Sequence, residues 1–430
     1  LFAPIQNTSY RRFMQAHRQK LIRLTTVDIS LYNLLVGQLK FLNQYYEVVG
    51  VSADTGVLHD LAKREGIRVI NVSMEREIRP FADVKSLWCL MKLFKKERPY
   101  ILHANTPKGS LLAMIAGKVV GVPHRIYTVT GLRYQGANGM LRFILKTMER
   151  LTCLFATKVI PEGSGVLHTL QVDGITKKPL AVLGNGNING IDTDYFSVSR
   201  TETDLIHDHR FSKSMEMTEQ SAPNRASIRA TLGFNLDDFV FVFVGRLVKD
   251  KGIIELLHAL NRLHVNGYQQ AKLLIVGSFE SGDAVGEVAE NEIKNNPHIV
   301  WIGWQNDVRP YLLAADALVF PSYREGFPNV PLQAGALELA SIVTNINGCN
   351  EIIKDGLNGK IIVAPLSDEG RLLTKSGGTV MENALYHAME WFINHPDDVG
   401  HMAHNAREQI VTRYKREHVW QAVLQCYQSL

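Results

Sequence analysis

The feature that most constrains the fold is an alternation of short β-rich runs with helical patterns that occurs twice along the chain. In the first half the β-rich runs are LIRLTT, YEVVGVSA, IRVINVS, ILHAN, RIYTV and TKVIP. In the second half they are FVFVFVG, KLLIVG, IVWIG, ALVFP, SIVTN and KIIVA. Such alternation is typical of a parallel sheet with helices on both faces. The sequence therefore predicts an α/β protein with two Rossmann-like domains.

The helical patterns and a polar interruption set the predicted boundaries. Apolar spacing predicts helices over 31–42, 58–64, 84–96, 109–120, 139–155, 253–263, 308–315 and 329–339, and successive helices from 381 to 430. The stretch 197–227 is polar and poor in apolar residues, which indicates a linker or surface excursion. We predict a first domain over 18–198, a linker over 199–226, a second domain over 227–412, and a last helix, 413–430, that is a candidate to pack back onto the first domain.

Size and composition agree with two domains and exclude several protein classes. A chain of 430 residues exceeds what one hydrophobic core usually supports. With 46% hydrophobic and 21% charged residues it is neither disordered nor membrane-embedded. The first 20 residues are polar and basic, so no signal peptide is expected, and residues 1–15 receive no role in the fold. The four cysteines form no CxxC motif and are expected to be reduced thiols of a cytoplasmic protein.

The charge is distributed unevenly. Residues 1–200 contain 27 Lys and Arg against 14 Asp and Glu, whereas the remainder contains 20 against 28. A positive first half suggests an anionic counterpart: nucleic acid, anionic lipid or a phosphorylated substrate. Nucleic acid is disfavoured because the basic residues lack an interleaved aromatic pattern or a recognised module. A chance distribution over solvated faces is the alternative.

Two motifs follow strands of the second half. Gly245, Arg246 and Lys251 come directly after the run FVFVFV, where a helix N-terminus and two cations suit a diphosphate. After ALVF come Glu325 and Gly326 in a tight loop, and Pro328 is expected in the first turn of a helix. The segment Phe327, Pro328, Asn329 and Val330 would then offer helix N-terminal amides to sugar hydroxyls or phosphate oxygens. A dipole-compensating surface role is the alternative for Glu325.

The strings VGRLVKDKGI, HIVWIGWQNDVRPYLLAADALVFPSYREGFPNV and NINGCNEII resemble the C-terminal domain of family 4 glycosyltransferases of the GT-B fold. The string HANTPKGSLLAMIAGKVVGVPHRIYTVTGLRY is similar to the N-terminal domain of the same family. The resemblance covers roughly residues 20–425. It is strongest to bacterial capsular, O-antigen and N-glycan transferases that act on saccharides linked to polyprenyl diphosphate. It implies two domains facing across a cleft.

The resemblance also implies roles for the donor residues. Arg246 and Lys251 would clamp the diphosphate of a nucleotide-sugar, which we expect to be UDP-linked, so no metal or other cofactor is expected. Glu325 would contact the transferred sugar. Gln333 stands where the family has a second glutamate that contacts the ribose, and it keeps an acceptor oxygen without the charge. The triplet Asp192, Thr193, Asp194 resembles a metal-binding DxD but is expected to form a turn.

The acceptor side departs from the family pattern. Thr130 stands where many relatives have a histidine, and threonine cannot act as a general base at neutral pH. His103, directly after a predicted strand over 100–102, is a candidate acceptor-side residue with an equally good structural interpretation. Asn105 ends a predicted strand, and Lys108 opens the following helix. Together with Arg133 at a neighbouring strand end, Lys108 could meet an acceptor diphosphate; surface solvation is the alternative.

A basic amphipathic surface is the last sequence feature. The helix 84–96 carries an apolar stripe that includes Trp88 beside four lysines, and Arg142, Lys146 and Arg150 recur at a spacing of four. Such helices suit an anionic membrane surface, although core packing explains the stripe equally well. We expect a cytoplasmic protein that contacts the inner face of the plasma membrane peripherally.

These features together predict a retaining, metal-independent hexosyl- or N-acetylhexosaminyltransferase of surface polysaccharide synthesis, capsular or lipopolysaccharide. Its substrates would be a nucleotide-sugar donor and a polyprenyl diphosphate-linked acceptor. Two alternatives stay open: a UDP-sugar epimerase of the same two-domain shape, and a non-catalytic nucleotide-sugar-binding partner, which the departures at Gln333 and Thr130 motivate.

Overall fold

The computed structural model describes residues 18–205, 224–364 and 377–430. They form two compact α/β units. The first runs to Asn189 and includes Glu417–Leu430, and the second comprises Gly190–Arg416. The central part of the predicted linker, residues 206–223, lies outside the described residues, and its two ends are helical, at Val198–Leu205 and Arg225–Thr231.

The first unit is built on a parallel six-stranded sheet in the order β3-β2-β1-β4-β5-β6. Strand β1 lies between β2 and β4, with Ile22 paired to Val49 on one side and to Leu102 on the other. The chain therefore adds β2 and β3 on one side of β1, and then β4, β5 and β6 on the other. Ligands of such sheets bind at the carboxyl ends of the strands where this order reverses. The strands are β1 Lys20–Val27, β2 Glu47–Ala53, β3 Arg68–Asn71, β4 Ile101–Ala104, β5 His124–Val129 and β6 Lys158–Pro161.

The α-helices of the first unit are Asp28–Leu34, Gln38–Leu42, Leu58–Glu65, Pro80–Glu97, Pro107–Val120, Gly139–Phe155 and Ser164–Val172. The prediction of one helix over 31–42 was wrong. Gly37 separates two helices with a left-handed φ of 77°, and an added Cβ there would lie 2.7 Å from the Trp420 ring. Two helices begin earlier than predicted, at Pro80 and Pro107. Proline is tolerated in the first turn because the N–H that it lacks would have no helical partner there.

The C-terminal helix Arg416–Gln428 supplies part of the core of the first unit. Its Val423, Leu424 and Tyr427 side chains are buried with residues of the sheet. The Trp420 indole N–H donates to Asn189 Oδ1 at 2.7 Å. The last 14 residues are thus held by the unit to which the start of the chain belongs.

The second unit repeats the architecture, with a parallel sheet in the order β12-β11-β10-β7-β8-β9. Its strands are β7 Phe239–Val244, β8 Ala271–Val276, β9 Ile299–Trp301, β10 Ala317–Phe320, β11 Ala340–Thr344 and β12 Gly359–Ile362. Its further α-helices are Ile253–Val265, Glu287–Asn295, Arg309–Ala314, Asn329–Ala336, Cys349–Ile352, Gly377–Asn394 and Pro396–Tyr414. The strands are almost continuously apolar because helices cover both faces of the sheet.

Two further expectations concern the chain as a whole. All four cysteines are unpaired, with Cys89 half-buried and the other three buried, as the sequence predicts. In the part of the chain that the structure describes, no helix combines the length and the apolarity that a membrane crossing requires.

Candidate functional site

The charged site residues of the second unit lie on two loops that follow neighbouring strands. One loop follows β7 and begins at Gly245, and the other follows β10 and contains Glu325. Strands β7 and β10 are directly paired, with Leu318 opposite Val242. Because the carboxyl ends of parallel strands share one edge, the two loops meet there. The backbone confirms the contact: the Tyr323 amide donates to the Asp250 carbonyl oxygen at 2.9 Å.

Lys251 and Glu325 form an ion pair across the two loops. The Lys251 ammonium donates to Glu325 Oε1, and the two side chains are only 12% and 16% exposed. The Ser322 hydroxyl donates to the same oxygen at 2.9 Å. Lys251 ends a single 3-10 turn, Lys249–Lys251. The structure thus brings together two residues that are 74 positions apart in the sequence.

Arg246 lies at the exposed side of the same loop. Its guanidinium donates to Glu280 Oε2 at 2.8 Å, and both side chains are about half exposed. Burial lowers the pKa of Arg246, but the hydrogen bond that it donates to Glu280 and the charges of Glu280, Asp250 and Glu325 outweigh it and raise the pKa overall. Arg246 is therefore permanently charged and within the field of the Lys251 and Glu325 loops.

A second ion pair links the same two loops, and sequence reasoning missed it. Arg324 Nη2 donates to Asp250 Oδ2 at 2.9 Å. Asp250 and Arg324 each precede a predicted site residue, Lys251 and Glu325 respectively. The sequence shows opposite charges on adjacent positions of each loop. These charges indicate the second ion pair once the two loops are known to meet.

Two glycines, one in the loop after β7 and one after β11, allow close backbone contacts with the loop after β10. Gly252 has a φ of 69°, and a Cβ at this position would collide with the carbonyl oxygen of Pro321. Gly348 has a φ of 75°, and its Cβ would lie 2.7 Å from the carbonyl oxygen of Gly326. Glycine is required at both positions, because any other residue would meet strain and a backbone collision together.

The remaining predicted donor residues lie at the start of the helix Asn329–Ala336. The prediction that Pro328 stands in the first helical turn was wrong by one position: its ψ of 135° makes it the extended residue before the helix, and Pro331 occupies the turn. Phe327 and Pro328 are buried, whereas Asn329, Val330 and Gln333 are half-buried. Since Asn329 and Gln333 are four positions apart, they share one helix face.

The prediction that His103 follows a strand was wrong. His103 lies within β4, and its side chain is only 2% exposed. Its Nδ1 contacts Arg23 and, at 2.5 Å, the Tyr427 hydroxyl; its Nε2 lies 2.7 Å from the Thr128 hydroxyl. Burial, and secondarily the Arg23 charge, hold the pKa of His103 well below its usual range. The imidazole is thus neutral, with both nitrogens engaged inside the first unit.

Thr130 and Asn105 meet at the carboxyl ends of β4 and β5. The Thr130 hydroxyl donates to the Asn105 carbonyl oxygen at 2.9 Å. The Asn105 side chain is fully buried, and neither its oxygen nor its nitrogen has a hydrogen-bond partner within the described residues. Buried amides are ordinarily bonded, so this side chain is an exception that calls for a partner.

Lys108 and Arg133 line one small cavity of the first unit together with Arg76, which sequence reasoning missed. Lys108 opens the helix Pro107–Val120 and is nearly buried, paired with Asp83 and with the carbonyl oxygen of Glu77. Arg133 is exposed. Glu149 lies in the same cavity wall, and burial raises the pKa of its carboxyl to about 7, although the Tyr127 hydroxyl donates to it at 2.8 Å.

The triplet at 192–194 forms a turn, as expected. Asp192 Oδ1 accepts from the amides of Asp194 and Tyr195 at 3.3 and 3.0 Å, and its other oxygen pairs with Arg416. Within residues 18–205, 224–364 and 377–430, no three His, Cys, Asp or Glu side chains are grouped as metal ligands would be.

Two α/β units, each built on a parallel six-stranded sheet, form a GT-B fold, and the chain is a glycosyltransferase. Two glycosyltransferase family models match the chain, one in each unit. Residues 224–371 match the family described as "Glycosyl transferases group 1", and residues 30–162 match "Glycosyl transferase 4-like".

Individual relatives agree with this assignment over most of the chain. The capsular polysaccharide biosynthesis glycosyltransferase CapM of Staphylococcus aureus is 29% identical over 96% of this chain and 97% of its own length. An Escherichia coli UDP-Gal:alpha-D-GlcNAc-diphosphoundecaprenol alpha-1,3-galactosyltransferase is 26% identical over 74% and 77%. The crystal structure of Anabaena Alr3699/HepE with UDP-glucose matches with a TM-score of 0.71 at 17% identity, covering 96% of this chain and all of that one.

Proposed function

We propose that this enzyme transfers a hexosyl or N-acetylhexosaminyl group from a UDP-linked donor to a saccharide carried on polyprenyl diphosphate, with retention at the anomeric carbon, in surface polysaccharide synthesis. The observation that carries the proposal is the Lys251–Glu325 pair, held beside Arg246 at the carboxyl edge of the second sheet. The E. coli relative acts on an undecaprenol-linked acceptor and the S. aureus relative serves capsule synthesis, which supports the acceptor class.

The donor diphosphate would bind by exchange of partners. Lys251 is at present neutralised by Glu325, and Arg246 by Glu280. A diphosphate that enters beside these cations offers oxygens of greater charge, and charge-assisted hydrogen bonds to it are strong. Glu325, released from Lys251, would then accept from hydroxyls of the transferred sugar. The two cations stabilise the charge that develops on the departing UDP, so the reaction needs no metal in this proposal.

The retaining step proposed here does not require Thr130 or His103 as a base. Thr130 cannot take a proton at neutral pH, and His103 is buried with both ring nitrogens engaged. In the proposed step the acceptor hydroxyl oxygen forms a bond to the anomeric carbon, the bond from that carbon to the phosphate oxygen breaks, and the hydroxyl proton passes to the departing phosphate. Acceptor and leaving group then lie on the same face of the sugar, and the configuration is retained.

The acceptor would be bound by the first unit. Arg133 and Arg76 carry exposed cations beside Lys108, and they suit the diphosphate of the lipid carrier. Asn105 offers a buried donor and a buried acceptor at the carboxyl end of β4, which suits a saccharide hydroxyl because a hydroxyl both accepts and donates. Thr130 holds the Asn105 backbone in place.

The lipid carrier places the enzyme at the membrane, and the surface of the first unit supports peripheral contact. In the helix Pro80–Glu97 the buried face consists of Ser86, Leu90 and Phe94, while Phe81, Val84 and Trp88 are 95%, 67% and 54% exposed. Core packing therefore does not explain these side chains. In the helix Gly139–Phe155 four apolar residues of the first two turns are likewise exposed: Met140, Leu141, Phe143 and Ile144.

Basic residues accompany the exposed apolar ones. Lys85, Lys92, Lys95 and Lys96 are exposed on the helix Pro80–Glu97. The row in the helix Gly139–Phe155 contributes less, because Lys146 pairs with Asp173 at 2.8 Å and Arg150 donates to the Asp173 carbonyl oxygen. Apolar side chains flanked by lysines suit the interface of an anionic bilayer. We propose that this surface contacts the cytoplasmic face of the membrane.

The deciding experiment incubates the purified enzyme with a panel of UDP- and GDP-sugars and polyprenyl diphosphate-linked acceptors, with and without EDTA. We expect transfer from a UDP-sugar, an undiminished rate in EDTA, and a product with the donor's anomeric configuration. An inverted product would contradict the mechanism. Interconversion of UDP-sugars without acceptor would instead identify an epimerase. Donor binding without transfer, cured by Gln333→Glu, would identify a binding partner.

A further inference from the structure

We infer that Asp250 and Arg324 are a positioning pair that fixes the contact between Lys251 and Glu325 and keeps the donor diphosphate site free of an unpaired carboxylate. This inference rests on the proposed donor site. Neither residue is assigned a role by the motifs that define that site, and each lies directly beside a residue that is.

The order of charges along the two loops favours the observed pairs. Residues 250 and 251 carry a negative and then a positive charge, and residues 324 and 325 carry a positive and then a negative charge. In the observed register both cross-loop pairs are attractive, with Asp250 on Arg324 and Lys251 on Glu325. A shift of one residue would place Asp250 against Glu325 or Lys251 against Arg324. Both alternatives bring like charges together, so the charge order specifies a single register.

Asp250 depends on Arg324 for compensation of its charge. The Asp250 side chain is 18% exposed, and its Oδ2 accepts a hydrogen bond from Arg324 at 2.9 Å. Among the side chains named in this site, Arg324 is the one bonded to this oxygen. Its Oδ1 is enclosed and has no hydrogen-bond partner within the described residues, and the same holds for Arg324 Nε. Arg324 is thus the cation that compensates an enclosed carboxylate. Removal of one member of such a pair leaves an uncompensated charge, which costs far more than the pair itself contributes.

The position of the Asp250 carboxylate matters for the cations of the proposed donor site. The Asp250 charge already acts on Arg246, whose pKa it helps to raise. Asp250 is also adjacent in sequence to Lys251, and its carbonyl oxygen accepts from the Tyr323 amide. Without Arg324 the free carboxylate would compete with the diphosphate for both cations and repel it. Loss of Arg324 should therefore weaken donor binding although Arg324 itself need not touch the donor.

The test compares Arg324→Ala, Arg324→Lys, Asp250→Asn and the double variant Asp250→Asn/Arg324→Ala, with Lys294→Ala as control. Lys294 also belongs to an ion pair of the second unit, with Glu290, but an exposed one on the helix Glu287–Asn295. Affinity for UDP is measured by calorimetry at low and high salt, donor KM and kcat are measured with the active UDP-sugar, and folding is checked by thermal melting.

We expect Arg324→Ala to weaken UDP binding roughly tenfold, because an unpaired carboxylate then faces the diphosphate. Arg324→Lys and the double variant should recover affinity to within about threefold of the unchanged enzyme, because in both the unpaired charge is gone. The deficit of Arg324→Ala should shrink at high salt, which a purely structural defect would not do. Lys294→Ala should match the unchanged enzyme.

The inference is overturned if Arg324→Ala binds UDP normally, or if the double variant is as defective as Arg324→Ala. Should Arg324→Ala not fold, Arg324→Lys and the double variant decide, since the inference requires both to fold and bind. Failure of the proposed function has a different signature: the unchanged enzyme itself would bind no UDP and transfer no sugar.

Discussion

Lys251 and Glu325 contact each other across two loops of the second unit, and each side chain is less than one fifth exposed. The cation proposed to bind the donor diphosphate is thus held in place before the donor arrives, by the carboxylate proposed to bind the sugar. Both charges are therefore already at the site when the donor exchanges for their present partners, and charges contribute more in an enclosed site than in water.

The first prediction concerns Lys251. Lys251→Met should lower kcat/KM for the nucleotide-sugar by roughly 100-fold or more, since removal of one stabilising group at a developing charge commonly has an effect of that size. Glu325 would also lose its partner, so Glu325→Gln is measured alongside to separate the two contributions. Steady-state kinetics with varied donor checks the prediction, and unchanged donor affinity and turnover in Lys251→Met would refute the diphosphate clamp.

The second prediction concerns the close approach at Gly252. Gly252→Ala should cost several kcal/mol of folding free energy or separate the two loops, because its Cβ would meet the Pro321 carbonyl oxygen. Gly233→Ala is the matched control: Gly233 has a similar φ of 80° but no atom within 4 Å of the added Cβ. It should cost only about 1 kcal/mol, for the left-handed backbone. Chemical denaturation measures both, and equal losses would show that the collision is relieved.

The third prediction is a pH dependence of stability at Glu149. Burial raises the pKa of its carboxyl to about 7 in the folded protein, above the value of an exposed glutamate. Below the unfolded pKa both states are protonated and the contribution to stability is complete. As the pH rises the unfolded state ionises first, so stability is lost progressively until the pH passes the folded value near 7.

Glu149→Gln removes this titration while it retains an oxygen for the Tyr127 hydroxyl. We expect the variant to be as stable as the unchanged enzyme near pH 4, and more stable by about 2–3 kcal/mol near pH 8. Urea denaturation at several pH values measures the difference. A constant difference across the range would show that Glu149 does not titrate as the structure indicates.

The fourth prediction concerns membrane contact. Phe81→Ser/Trp88→Ser should reduce sedimentation with vesicles that contain anionic phospholipid by roughly tenfold, because both side chains are exposed and bury apolar area only on binding. The control is Val265→Ser, which changes an 85% exposed apolar residue of the second unit. Equal binding by all three proteins would contradict the proposed surface.

The sequence by itself determined the fold class and the residues around which the proposed donor site is built. Almost continuous apolar strands alternating with helices leave few arrangements other than two parallel sheets, and β7 and β10 deliver Gly245 and Glu325 to one edge by the general geometry of such sheets. The prediction of a single helix over 31–42 was wrong because Trp420 lies close to Gly37. Local sequence does not show a contact between residues almost 400 positions apart.

Only the tertiary structure decided how the charges are paired and which side chains are buried. The sequence shows Asp250 beside Lys251 and Arg324 beside Glu325, but pairing depends on the register of two loops that β7 and β10 bring together. His103 reads as a residue after a strand, yet Arg23 and Tyr427 enclose it in the interior. Trp88 belongs to the predicted apolar stripe of its helix, yet it is 54% exposed, while Leu90 and Phe94 are buried. Periodicity along a chain defines a helix face, whereas the neighbours that cover that face come from distant parts of the sequence.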